Sequence, residues 1–294
     1  MFRKDSPSRV IFVIINTIFL AMFSMACLLP FFHVLFASLS DPTRLARNSG
    51  LLLWPLGFTT MGYQLVAINP HIVNGFRNTV FYTVCGTFIN IMFTSMGAYV
   101  CSNKKFMPKN IIMFMITFSM FFNGGLVPYY LLIKNLRMDN TVWALLIPTA
   151  ISAYNLILMR TSFAEIPDSL GESARIDGAG DFTVLFRIIM PVSKPVVAVM
   201  VLLYAVGHWN SWFQAMIFIR ARNLYPLQLV LREILIDSNV SRIMVTANSN
   251  DATNLFRPLI KYSSIIVSII PIICVYPFIQ KYFVSGIMIG SIKG

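Results

Sequence analysis

The sequence predicts an all-α polytopic membrane protein, with about six transmembrane helices and a helix–turn–helix projecting from the bilayer. Three observations carry that prediction. The 294 residues are 57% hydrophobic and only 12% charged, where a soluble domain carries about 25% charged residues. Six apolar runs are each long enough to cross about 30 Å of hydrocarbon as a helix, the form that satisfies backbone polar groups within one segment. A single polar stretch between two of these runs keeps a helical apolar stripe.

Val10–Ser40 carries no Asp, Glu, Lys or Arg over 31 residues, and Arg3, Lys4 and Arg9 precede it. That is too long for the apolar core of a cleaved signal, so it reads as an uncleaved first helix. Further spans are expected at Thr79–Cys101, Ile111–Ile133, Thr141–Met159, Val196–Ile219 and Tyr262–Gln280. Asn48–Phe76 is equally free of charge, but Pro55, Gly57, Gly62 and Pro70 interrupt it. It reads as an external loop with short helical pieces.

The resulting plan is a cytoplasmic N-terminus at residues 1–9, a membrane domain at 10–281 and a cytoplasmic tail at 282–294. External loops fall at about 41–78 and 220–261, and a cytoplasmic loop at about 160–195. The plan places 12 basic residues inside and 11 outside, so their total does not orient the chain. The three cations flanking the first helix, and three lysines in the compact loop Ser102–Asn110, favour a cytoplasmic N-terminus. Net charge is +12. Its cations are scattered at the ends of apolar runs, as headgroup anchors are, whereas nucleic-acid binding needs them clustered. Cys27, Cys85, Cys101 and Cys274 form no CxxC pair and read as buried small apolar residues.

Thr161–Pro195 is too polar to span. Pro167 suits a first helical turn, and Ser169 and Glu172 have capping-box spacing for a helix to about Ile176. Asp177-Gly178 ends that helix, and Asp181 suits the N-cap of a second. Phe182, Leu185, Phe186 and Ile189 then fall at i, i+3, i+4 and i+7, one apolar face that Pro191 closes. Such a stripe needs a protein partner or the bilayer surface.

The run Glu172-Ser-Ala174-Arg-Ile-Asp177-Gly178-Ala179, followed by Phe186, Pro191 and Pro195, resembles the EAA loop of ABC importer permeases; Ser173 stands where that family usually has Ala. The resemblance implies a coupling helix seated in a cleft of a cytoplasmic ATPase dimer. Glu172, Ala174, Asp177, Gly178, Phe182, Leu185, Phe186 and Pro191 would form the joint. His208-Trp-Asn-Ser-Trp-Phe213 is similar to the Trp-Asn-x-Phe region of carbohydrate permeases. The end of the chain is similar to the tail of the second permease subunit of maltose-type systems, which implies that Gly290, Lys293 and Gly294 reach the ATPase interface. The resemblance further implies a second homologous permease subunit, an external substrate-binding protein, a carbohydrate substrate and a bacterial-type inner membrane, with both termini cytoplasmic. ATP and Mg would be bound by the ATPase, since this chain has no GxxxxGK[ST] sequence and no cofactor of its own is expected.

Polar and aromatic residues at membrane depth are candidates for a sugar path, because they are costly there. Asn123, Tyr129, Tyr154, Asn155, Trp209, Asn210, Trp212 and Gln214 make that set. Helix–helix hydrogen bonds and interfacial belts are the ordinary uses of the same residues. Gly124-Gly125 offers either a kink or a close helix contact, the contact being favoured. His33, His71 and His208 lack neighbours at ligand spacing, so no metal is expected and no catalytic constellation is read. Two other functions fit a chain of six spans. An ion-coupled transporter should carry ionisable residues in mid-span, and none of the six runs holds an Asp, Glu, Lys or Arg. A membrane scaffold would need the loop but no polar path.

Overall fold

A computed structural model of the protein describes residues 7–236 and 250–291. Lys293 and Gly294 of the expected tail, and Arg3 and Lys4 of the expected anchor, lie outside the described residues. The chain is built of helices, and the described residues hold no strand beyond an isolated bridge between Ser40 and Phe58. They divide into two compact units, residues 1–72 with 233–269 and residues 73–232 with 270–294.

In the first unit, α1 (Pro7–Ser38) carries the expected first span, and the side chains of its apolar stretch are exposed. α2 (Pro42–Arg47) is capped by Asp41, whose carboxylate accepts from the backbone N–H of Thr43 at 2.9 Å and of Arg44 at 3.2 Å. α3 (Met61–Ile68) follows an irregular stretch. A Cβ at Gly62 would collide with the Ser263 hydroxyl, so glycine permits that approach.

The second unit is organised on α4 (Pro70–Ser102), which begins nine residues before the expected second span. Pro70 opens it, and the Asn69 carboxamide oxygen accepts from the N–H groups of His71 and Ile72 at 3.0 and 3.3 Å. This cap draws the end of the expected external loop into the helix.

The third expected span is two helices, α5 (Lys109–Phe121) and α6 (Leu126–Asn135), bent by 117° at their junction. Gly125 has φ +85°, and nothing lies within 4 Å of a Cβ at Gly124 or Gly125. The glycine pair is therefore a kink, and the expectation of a close helix contact is corrected.

The fourth expected span is also interrupted. α7 (Trp143–Leu146) and α8 (Ala153–Ala164) are separated by a non-helical stretch containing Pro148, which interrupts helical pairing. α9 (Asp168–Ile176), α10 (Asp181–Val184), a π turn (Leu185–Ile189) and α11 (Met190–Val192) make up the projecting loop. The segment Asp181–Val192 then meets α12 (Lys194–Trp209) at 92°.

The fifth span continues from α12 through a break at Asn210–Trp212 into α13 (Phe213–Phe218). α14 (Leu227–Ile236) and α15 (Asn250–Ser291) complete the described chain. Among the described residues three helices are each long and apolar enough to cross a membrane, and up to five spans result when each bent pair counts as one. Cys101 is buried, but Cys27 and Cys274 are exposed on apolar helices, which corrects the expectation that all four cysteines are buried. An apolar thiol is at home against lipid as well as in a core.

Candidate functional site

The projecting loop is built against the C-terminal end of α4. α9 starts one residue later than Pro167, whose ψ of 131° is extended rather than helical. No side-chain cap closes the helix start, so the Ser169–Glu172 capping box does not form. Glu172 instead pairs with Lys105 at 3.1 Å, and Asp168 pairs with Lys104 at 2.8 Å. The hydrogen bond from Lys104 holds the Asp168 carboxyl below its ordinary range, and the same bond raises Lys104.

At its other end α9 closes in a Schellman turn. The Ala179 N–H reaches the Ala174 carbonyl at 2.9 Å, and the Gly178 N–H reaches Arg175 at 3.0 Å. Gly178 has φ +84°, a left-handed conformation that glycine alone adopts freely. Asp177 is the residue just before it, at the helix C-cap.

Asp181 opens α10 but caps nothing. It accepts from Arg175 at 2.9 Å and from the Tyr99 hydroxyl at 3.2 Å, while Arg175 also donates to Tyr99 at 2.9 Å. The hydrogen bond from Arg175, and then that from Tyr99, lowers the Asp181 carboxyl. A carboxylate offered two such donors at the tip of α4 is used across elements rather than within its own helix.

The apolar stripe divides. Leu185 and Ile189, with Val184, are buried against Met159 and Phe163 of α8 and Ile91 and Ala98 of α4. Phe186 and Ala174 pack half-buried on the same cluster. A π turn follows Phe182, which is 68% exposed although its ring stacks on Phe186 at 6.5 Å. Ile176, absent from the expected joint, is 87% exposed at the turn. The loop is thus rooted in its own chain by aliphatic side chains and offers Ile176 and Phe182 outward. Pro191 is exposed within α11 and does not close the helix, which runs on to Val192. Gly290 lies in α15.

A second site is a cavity of about 420 Å³ where the α12–α13 break faces the start of α8. It gathers Asn155, Asn210, Trp212 and Gln214 of the expected path. Trp209 is buried instead, edge-on to Phe76 at 5.8 Å. Tyr154 turns outward and is 56% exposed, about 100° around α8 from Asn155. Tyr129 packs on Phe218 at 5.5 Å, and Asn123 bonds the Gly125 N–H at 3.0 Å in the α5–α6 kink.

The wall residues Tyr204 and His208 were not among those expected. His208 meets Asn90 at 2.6 Å, and Asn90 donates to the Thr149 carbonyl at 2.5 Å. The Tyr204 hydroxyl sits 2.7 Å from Thr94 and accepts the Ser152 N–H at 3.1 Å. A polar residue every fourth position on α12, Tyr204 then His208, is the sequence signal that marked this face. These bonds tie the broken backbone at 147–152 to α4 and α12, which is how non-helical backbone persists at membrane depth. No Asp, Glu, Lys or Arg lines the cavity. No cluster able to hold a metal ion occurs among the described residues.

Residues 90–289 match the family described as binding-protein-dependent transport system inner membrane component. The chain is 37% identical to protein LplC of Bacillus subtilis over 286 residues, 97% of this chain and 95% of that one. It is also 37% identical to YtcP of the same organism, a polygalacturonan/rhamnogalacturonan transport system permease protein, over 94% of this chain and 96% of that one. Among solved structures, it superposes with a TM-score of 0.87 and 33% identity on a chain of a bacterial ABC transporter involved in the import of the acidic polysaccharide alginate. That match covers 96% of this chain and 100% of the other.

Proposed function

Because the chain belongs to the binding-protein-dependent transport system inner membrane component family, and is thus a permease subunit of an ATP-driven importer, we propose that its cargo is an oligosaccharide passing through the cavity at the α12–α13 break. The observation that carries this reading is the lining of that cavity. Asn155, Asn210 and Gln214 offer amides, Ser152 and Tyr204 hydroxyls, and Trp212 and Phe213 aromatic faces. Amides and hydroxyls match sugar hydroxyls, and flat rings match the C–H faces of sugar rings. The saccharide names of the relatives support the same class.

Uptake needs an ATPase and a substrate-binding protein, as the family implies. In the proposed assembly this chain pairs with a second, homologous permease, both termini are cytoplasmic, and ATP and Mg are bound by an ATPase dimer rather than here. This chain contributes a path and a joint and performs no chemistry itself. Ile176 and Phe182 enter the ATPase, while Leu185 and Ile189 carry the motion into α4, α8 and α12. Switching requires two packings close in free energy, each favoured by a different ligand.

The test is uptake of labelled oligosaccharides into proteoliposomes holding this chain with its co-purifying permease, ATPase and binding protein. We expect uptake that requires hydrolysable ATP and drops at least tenfold in Asn155→Leu/Gln214→Leu. Uptake driven by an ion gradient without ATP overturns the assignment.

A further inference from the structure

One wall residue of the cavity, Trp212, is stacked by a cation that the sugar path alone does not require. The Arg232 guanidinium lies over the ring of Trp212, with Cζ 5.1 Å from the ring centroid, and Trp212 is a wall residue of the cavity. Arg232 is held there by its helix. The α14 N–H of Leu227 bonds the Thr79 hydroxyl of α4 at 2.7 Å, and Leu227, Val230 and Leu231 are buried. A Cβ at Gly75 would stand 3.2 Å from the Leu227 Cα, so glycine lets α4 and α14 approach this closely. Arg232 itself is half-buried, and among the described residues no carboxylate pairs with it. The neighbouring Glu233 cannot serve readily, because adjacent helical residues do not face each other.

A half-buried guanidinium with no carboxylate partner among the described residues carries an electrostatic cost there, partly met by the ring face. Contact through the ring engages the positive charge and leaves N–H donors for a planar anion, which a guanidinium binds in bidentate fashion. No Asp or Glu in the cavity lining competes for it.

We propose that Arg232, backed by Trp212, receives the carboxylate of an acidic sugar, so that the oligosaccharide carried is one built of uronate units. This rests on the saccharide reading above and names the class within it. A neutral sugar brings no charge to Arg232, whereas a uronate brings an anion on a ring whose C–H face can lie against Trp212 or Phe213. Arg232 acts here as a specificity residue beside the path.

The experiment uses the complete reconstituted transporter with oligogalacturonate and oligomannuronate trimers. Each is set beside the same trimer with its carboxylates reduced to primary alcohols. In the wild type, ATP-dependent uptake of at least one acidic trimer should exceed that of its reduced partner by about tenfold or more. Arg232→Gln should collapse that ratio towards unity by raising the concentration for half-maximal uptake of the acidic trimer. Arg232→Lys, which keeps the charge but loses the fork, should give an intermediate ratio. Reduced trimers carried as well as acidic ones overturn the uronate assignment, and a ratio unmoved in Arg232→Gln overturns the role given to Arg232; both leave the saccharide reading standing. The latter result would put the preference in the binding protein. Absence of ATP-dependent uptake of every trimer, acidic or reduced, sinks the saccharide reading itself.

Discussion

Two glycines carry opposite constraints. Gly178 has φ +84° with open space around a Cβ, so its requirement is conformational. Gly86 lies against the His208 ring, and a Cβ there would overlap the imidazole, so its requirement is steric. Gly178→Ala should cost about 1–2 kcal/mol, the price of a left-handed L-residue. Gly178→Pro should leave the subunit inserted but stop ATP-dependent uptake, because proline excludes positive φ and removes the N–H that reaches Arg175. Gly86→Ala should destabilise by about 1–3 kcal/mol through overpacking and break the His208–Asn90 bond, read as a lower melting temperature of the purified complex. The turn at Gly178 was legible in the sequence because Asp-Gly is a local signal. The contact at Gly86 was not, since its partner lies more than a hundred residues away.

At the scale of the element, the loop shows which local signals survive folding. Ser169 and Glu172 have the spacing of a capping box and Asp181 that of an N-cap, yet Lys105, Arg175 and Tyr99 claim Glu172 and Asp181. Cations on a neighbouring element outbid the weaker backbone bonds, and no local pattern registers them. The apolar stripe was legible, but not its division between the interior and the surface. Exposed pairs such as Lys105–Glu172 contribute little stability and serve to orient the loop. Lys105→Glu and Glu172→Lys should each lower coupled uptake, and the double swap should recover part of it. Two additive losses would show that the pair does not act as a unit. The depressed Asp168 and Asp181 carboxyls contribute in full above the ordinary carboxylate value near 3.8, and that contribution fades as pH falls through their lower folded values. Loop orientation should therefore hold throughout the neutral range and weaken only in strong acid.

At the scale of the whole molecule, hydropathy marks where the chain is apolar and carries no information on direction. It located α1, most of α4 and the apolar part of α15. It could not foresee that the third stretch turns by 117° or that the fourth breaks near Pro148. The break in the fourth stretch is stabilised from α4 and α12 by Asn90 and Tyr204, partners that a linear window does not contain. α4 also orders the second unit along one axis. Asn78 near one end donates to the carbonyls of Asn223 and Tyr225, and Tyr99 near the other bonds Arg175 and Asp181. Their separation of 21 positions along α4 rises about 32 Å, close to the thickness of hydrocarbon. Single cysteines at Lys104 and Asp168 should therefore react with an impermeant maleimide from one side of sealed vesicles, and one at Asn223 from the other. Labelling of all three from one side would contradict this placement.

The 92° meeting of Asp181–Val192 with α12 has a mechanical consequence. Ser193 is the elbow. It is buried and braced on both sides, its N–H on the Ile189 carbonyl at 2.9 Å and its own carbonyl receiving the Val197 N–H at 3.0 Å. A braced elbow makes the two segments one bell crank, with an arm of about 18 Å along the proposed joint and another of about 24 Å ending at Trp209. A push on the first arm that these bonds withstand should swing the second. The geometry then multiplies displacement by about 1.3 at the far end of α12, the ratio of the two arms. Softening the elbow, rather than either arm, is what would let the ATPase cycle while the path stands still.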